Sequence, residues 1–132
     1  MNPNAQSRPQ SAAVDGDLLS HERLDAYRVA VEFRGFAQTL IVRLPKVKGQ
    51  LGDQLERASE SIVLRIAEGA GCEWRSPEQK RHFRGARGSV LECSACLDIC
   101  RIRKVGSADQ LTGGRLLLLR LAQMLTRLCR EG

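Results

Sequence analysis

Residues 54–92 read QLERASESIVLRIAEGAGCEWRSPEQKRHFRGARGSVLE, and this stretch decides the fold. Leu55, Ala58, Ile62, Ile66 and Gly69 recur at spacings of three and four, the period of one face of an α-helix. A polar stripe of Gln54, Arg57, Ser61, Arg65 and Glu68 runs beside it. After a short turn the same rhythm resumes in Phe83, Ala86 and Val90, and it continues through Cys93, Leu97 and Cys100. Between the two runs, Ser76-Pro77-Glu78-Gln79 supplies an N-cap serine, a proline at the first helical position and a capping-box glutamine. Gly69-Ala70-Gly71 stops the earlier helix. Two helices and a tight turn follow.

Working outward, an earlier helix is predicted from Ser20 as N-cap to Pro45, which ends it. Its apolar stripe is wide, as in a helix packed on two neighbours. Residues 46–49 form a basic loop, and the second helix runs over residues 50–70. The third helix continues to about Lys104, and Gly106 stops it. Ser107 and Gln110 offer another capping box for a fourth helix over residues 108–130. Gly113-Gly114 weakens its first turns by about 1 kcal/mol per glycine relative to alanine, so an alternative start lies near Arg115. Residues 1–19 are rich in Asn, Gln, Ser, Pro and Ala, and read as a disordered tail before a domain over residues 20–132. The expected class is all-α, an antiparallel up-down-up-down four-helix bundle. Leu116, Leu117, Leu118 and Leu119 step round the fourth helix at about 100°, so some must point outward, where a partner subunit can cover them.

The 132 residues carry 21 Lys and Arg against 15 Asp and Glu, a net charge of +6. That excess favours an anionic partner such as RNA or DNA over a cationic one, although a merely soluble surface can carry as much. No stretch approaches the roughly 18–20 apolar residues of a membrane span. The first residues lack a basic segment followed by an apolar run. A reducing cytoplasm with free thiols is the expectation for its five cysteines.

Lys80, Arg84 and Arg87 share one helical face, with Arg81 adjacent and Arg75 in the turn. Long cations on a rigid face neutralise phosphates; the competing reading is a solvated face. No aromatic residues interleave with this stripe, so base stacking is not suggested. Arg101, Arg103 and Lys104 cluster at the far end, where cations also suit a helix C-terminus. Gln54, Arg57, Ser61 and Glu68 on the second helix can meet Ser89 and Glu92 on the third in a structural polar network, within the bundle or between subunits. Glu68 and Glu92 stand in no recognisable catalytic order, so no catalytic residue is assigned. Cys93-x-x-Cys96-x-x-x-Cys100 falls mid-helix and reads as small buried thiols rather than metal ligands. No metal site or cofactor is expected: Gly69-Ala70-Gly71 follows no strand and lacks the third glycine of a dinucleotide fingerprint.

Leu44-Pro45, Gln54-Leu-x-Arg57-Ala58-x-x-Ser61-Ile62, Ile66-Ala67-Glu68-Gly69-x-Gly71, Ser76-x-Glu78, Phe83 and Ala86-x-Gly88-Ser89-x-x-Glu92 together resemble the bacterial four-helix bundle family of 23S rRNA intervening-sequence proteins. The resemblance covers about residues 22–130. It implies one bundle per subunit and a homopentamer with a central channel. A similar bundle acts as accessory protein to reverse transcriptases in diversity-generating retroelements, where it binds nucleic acid. The resemblance thus implies either direct RNA or DNA binding or a protein-interaction ring that serves a nucleic-acid enzyme. This chain departs from the family pattern at Arg65, usually Asn, and at Cys72, often Arg.

Overall fold

The structure, a computed structural model, describes residues 14–15 and 18–130. Four helices make up the domain: α1 (Asp25–Ile41), α2 (Leu51–Ala70), α3 (Pro77–Ile102) and α4 (Ala108–Leu128). Each packs on its neighbours in sequence, and α4 closes back on α1. The directions follow from paired residues. Ser61 meets Ser89 while Gly69 meets Phe83, so α2 and α3 are antiparallel. Arg34 meets Glu60 while Leu44 meets Gly52, which sets α1 against α2. Phe36 packs on Gly114 and Thr39 bonds Gln110, which sets α4 against α1.

The core is the set of stripes that the sequence spaces at three and four. Phe33, Leu40, Leu55, Ile62, Ile66, Phe83, Leu121 and Leu125 are fully buried. Cys93, Cys96 and Cys100 are buried among them as free thiols. Burial holds these thiols protonated: it pushes Cys96 up to about 11 and raises Cys93 further and Cys100 too. Of the leucine run, Leu118 is buried and Leu117 half-buried, whereas Leu116 and Leu119 are exposed.

The helix ends differ from the sequence expectation at three places. Ser20 does not cap α1; it opens a 3-10 turn, Ser20–Arg23, and α1 begins at Asp25. The Glu22 carboxylate accepts from the Leu19 N–H at 2.9 Å, so the local bonding closes on the turn instead of the helix. The fourth helix starts at Ala108, not near Arg115. Ser107 Oγ accepts from Gln110 N–H at 3.1 Å, and Gln110 also donates to Thr39 on α1. Capping and tertiary packing therefore outweigh the propensity cost of Gly113 and Gly114. The third helix ends at Ile102, two residues early. The expected tail, residues 1–19, lies mostly outside the described residues; within it Val14–Asp15 pairs antiparallel with Leu18–Leu19.

The α3–α4 link has a testable peculiarity. Val105 N–H donates to Cys100 C=O at 2.9 Å, the six-residue closure of a helix C-terminus. That closure places Lys104 at φ 60°, a left-handed conformation that glycine adopts without penalty. Lys104→Gly should raise stability by up to about 1 kcal/mol. Thermal unfolding should show a small upward shift; a lower melting temperature would mean that the Lys104 side chain matters more than its backbone.

Candidate nucleic-acid interface

The basic face is built by the start of α3. Ser76 Oγ accepts from Gln79 N–H at 3.1 Å, and Pro77 occupies the first helical position. This fixes where the helix begins, and hence which way its cations point. Gln79 is the hinge pin of the turn. It is 1% exposed. Its amide donates to the Gly69 C=O at 2.9 Å, and its carbonyl accepts from the Arg75 N–H at 2.8 Å. One buried side chain thus ties the last turn of α2 to the turn and to α3. Arg75 stands at φ 63°, and its guanidinium lies 5.9 Å from the Trp74 ring centroid, within cation–π range.

Lys80, Arg84 and Arg87 follow at one edge of α3, on the side that faces α4. Arg87 donates to Thr126 Oγ1 at 3.5 Å, and the Lys80 C=O lies 4.0 Å from Cys129 Sγ. Arg81 and Arg84 are exposed, and Arg87 is half-buried. Among the described residues, Arg81, Arg84 and Arg87 form no ion pair.

The antiparallel packing extends this face beyond what sequence reasoning singled out. Arg127 and Arg130 of the α4 end line a shallow depression with Thr126, Gln123 and Ala122. Thr126 is the residue that Arg87 bonds, so the cations of α3 and α4 adjoin. Arg127 and Arg130 lie about 40 residues from Arg87 in the chain. The one available signal was the fourth helix returning antiparallel to the third.

The polar residues of α2 and α3 are brought together only in part. Ser89 Oγ donates to Ser61 Oγ at 3.0 Å across the two helices. Arg57, however, turns along its own helix to Asp53, with Nε 3.3 Å from Oδ2; within the chain it does not pair with Glu68 or Glu92. The physical reason is proximity, since i,i+4 neighbours meet on a helix face without bridging a gap. Asp53 also accepts from the Gly49 N–H at 2.8 Å, and that bond, with Arg57 next, holds its carboxyl below the ordinary range. Gln54 donates to the Gly49 C=O at 3.1 Å and so closes the α1–α2 loop. Glu92 is exposed.

Glu68 instead belongs to a cluster at the α2–α3 turn. Its Oε1 lies 4.0 Å from His82 Nδ1, and Arg65 approaches the same nitrogen at 3.4 Å. Arg65 reaches it by lying over Gly85, whose missing side chain leaves the room. Cys72 donates to the Glu68 C=O at 3.4 Å. Desolvation, and then the Glu78 carboxylate, push the Cys72 thiol up.

No helix of the described residues is long and apolar enough to cross a membrane. No curated protein matches the chain. A family model described as 23S rRNA-intervening sequence protein matches residues 22–127. That span runs from just before α1 to the last turn of α4, so it takes in the whole bundle and both halves of the basic face. The chain belongs to the 23S rRNA-intervening sequence protein family.

Proposed function

We propose that this protein is a binding or scaffold module, not an enzyme, and that it docks RNA or DNA on the α3–α4 basic face. The observation that carries the reading is the arrangement of Arg84 and Arg87 on α3 beside Arg127 and Arg130 on α4, with Arg81, Arg84 and Arg87 in no ion pair among the described residues. Arg75, Lys80 and Arg81 extend the same end of the domain. Cations held by rigid helices and left without internal carboxylates are suited to phosphates, and they give affinity without base specificity.

The module works as a homo-oligomer, a pentamer by the family resemblance, in the cytoplasm. Exposed Leu91, Leu116 and Leu119 support the assembly: Leu91 and Leu119 line one groove between α3 and α4 with Ser94, Arg115 and Ala122. Repeating a weak phosphate site around a ring raises overall affinity by avidity. Gln54, Arg57, Ser61, Glu68, Ser89 and Glu92 serve as the polar network of the α2–α3 face, joined within the chain at Ser61–Ser89.

Light scattering of the purified protein, with and without a single-stranded RNA, should report an oligomer that gains the mass of bound RNA. Affinity should fall steeply with salt, and Arg84→Glu/Arg87→Glu/Arg127→Glu should weaken binding by tenfold or more. The log–log salt slope should flatten by roughly 3 units, about 0.9 per lost phosphate contact. Undiminished binding by the triple variant would remove this face from the reading. An oligomer that ignores nucleic acid but captures a nucleic-acid enzyme would favour the protein-interaction ring.

A further inference from the structure

Cys72, Glu78 and His82 present their ligand atoms within 4.8 Å of one another at the α2–α3 turn. We propose that these three side chains form a site for a borderline-soft divalent cation of the zinc class, with Glu68 positioning the His82 ring. The inference is independent of nucleic-acid binding.

The donor set is the first argument. A thiolate, an imidazole and a carboxylate are the ligands that Zn²⁺ takes, whereas Ca²⁺ and Mg²⁺ seek oxygen. Thiolate and carboxylate together carry two negative charges, which match the ion. The chain as a whole is positive, at +6, so general attraction does not draw a cation here and selectivity rests on the local set.

Geometry is the second argument. Glu78 and His82 are four residues apart on α3, which stacks them on one helix face. Cys72 reaches that face because the chain reverses between α2 and α3, through the left-handed Arg75. Zn–ligand bonds of about 2.0–2.3 Å put tetrahedral ligand atoms about 3.5 Å apart. Closing from the observed spread asks for about 1 Å of side-chain movement, and Glu78 is exposed and able to make it. The site bridges two helices, so binding would pin the turn that Gln79 already clasps.

The surroundings supply the third argument. A ligating histidine commonly donates its other N–H to a carboxylate. Glu68 Oε1, 4.0 Å from His82 Nδ1, stands where that acceptor is needed. Arg65, at 3.4 Å, now contends for the same nitrogen through its lone pair. Metal on the other ring nitrogen would put the proton on Nδ1 and select Glu68. Three protein ligands leave a fourth position for water or a further donor.

The test uses the full, tag-free chain kept reduced, titrated with Co²⁺ as the spectroscopic probe and then with Zn²⁺. One equivalent of Co²⁺ should bind, with a sulfur-to-cobalt charge-transfer band and tetrahedral ligand-field bands that Zn²⁺ abolishes. Cys72→Ser should remove the charge-transfer band and weaken Zn²⁺ at least tenfold, and Glu78→Gln and His82→Gln should weaken it comparably. Glu68→Gln should weaken it roughly tenfold while the band remains. Zn²⁺ should raise the melting temperature of the parent chain but not of Cys72→Ser, whose own melting without metal shows that it folds. Absence of the band, or a band that survives Cys72→Ser, overturns the proposal.

Discussion

Gln79→Ala is expected to lower the unfolding free energy by about 2–4 kcal/mol, a large share of what a domain of this size possesses. The side chain is buried, and it makes hydrogen bonds at both ends of its amide, to Gly69 and Arg75. Each lost bond is worth about 1 kcal/mol net, and a partner left unpaired in the interior adds its desolvation cost. Removing the bulk of the glutamine also leaves a cavity. Gly69 C=O keeps one donor, Cys72 N–H at 3.1 Å, which sets the loss below that of a fully orphaned group. Urea unfolding should show a lower midpoint with an unchanged slope, because the same surface is exposed on unfolding. Gln79→Glu separates the two roles: it keeps the acceptor for Arg75 N–H but removes the donor to Gly69. It should therefore be destabilised as well, through an anion facing a carbonyl. A midpoint within experimental scatter of the parent for both variants would show that the turn is held elsewhere, by Ser76 or the Phe83 packing.

The helices were legible because their stripes obey one period over long runs. Leu55 to Ile66 and Phe83 to Cys100 each repeat at three and four, and burial follows that repeat residue by residue. The Ser76-Pro77 boundary was legible because three local signals coincide there. What failed was local evidence contradicted from a distance. Ser20 looked like a cap, yet its neighbours bond in a 3-10 turn. Gly113-Gly114 looked like a weak start, yet Gly114 is the seat of the Phe36 ring, a contact that no window of α4 alone contains. The candidate interface divides the same way. Lys80, Arg84 and Arg87 declared a shared face through their spacing, whereas Arg127 and Arg130 join it only through the return of α4. Cys72, Glu78 and His82 were invisible as a set, because Cys72 reaches the face of Glu78 and His82 only through the bend at Arg75.

The two exposed sides of the bundle are chemically distinct, and that distinction organises both proposals. Toward α4, α3 presents cations near its start and Leu91 further along. Toward α2 it presents glycine, serine and histidine, over which Arg65 lies and where Ser61 and Ser89 join. Small residues let two helices approach closely enough for such contacts to form. Gly85 makes the room for Arg65, so the charge that this chain carries at position 65 is accommodated by a residue on the facing helix.

Gly69→Ala is expected to cost toward the upper end of the roughly 1–3 kcal/mol that overpacking of a filled core exacts. A methyl group built at Gly69 would meet Phe83 Cε1 at 2.6 Å and Cδ1 at 2.9 Å, with His82 Cβ at 3.2 Å. Real contacts of that kind do not occur, so something must move. Phe83 cannot swing out cheaply, because it is fully buried beneath the bundle. The backbone of Gly69 cannot retreat freely either, since its carbonyl is clasped by Gln79. The gain in helix propensity from glycine to alanine, about 1 kcal/mol, offsets only part of the clash. Phe83→Leu supplies the decisive comparison. Alone it should destabilise, by removing aromatic volume from a sealed site. Combined with Gly69→Ala it should lose less than the two single changes summed, because the methyl enters space that the ring has left. A double-mutant cycle measures that coupling directly, and its expected value is at least about 1 kcal/mol in the rescuing direction. Strict additivity would mean that Gly69 is required for the helix end itself rather than for the approach of α3. In that case the close packing of α2 on α3, on which the polar contacts of that face and the Cys72–Glu78–His82 geometry both depend, would have another origin.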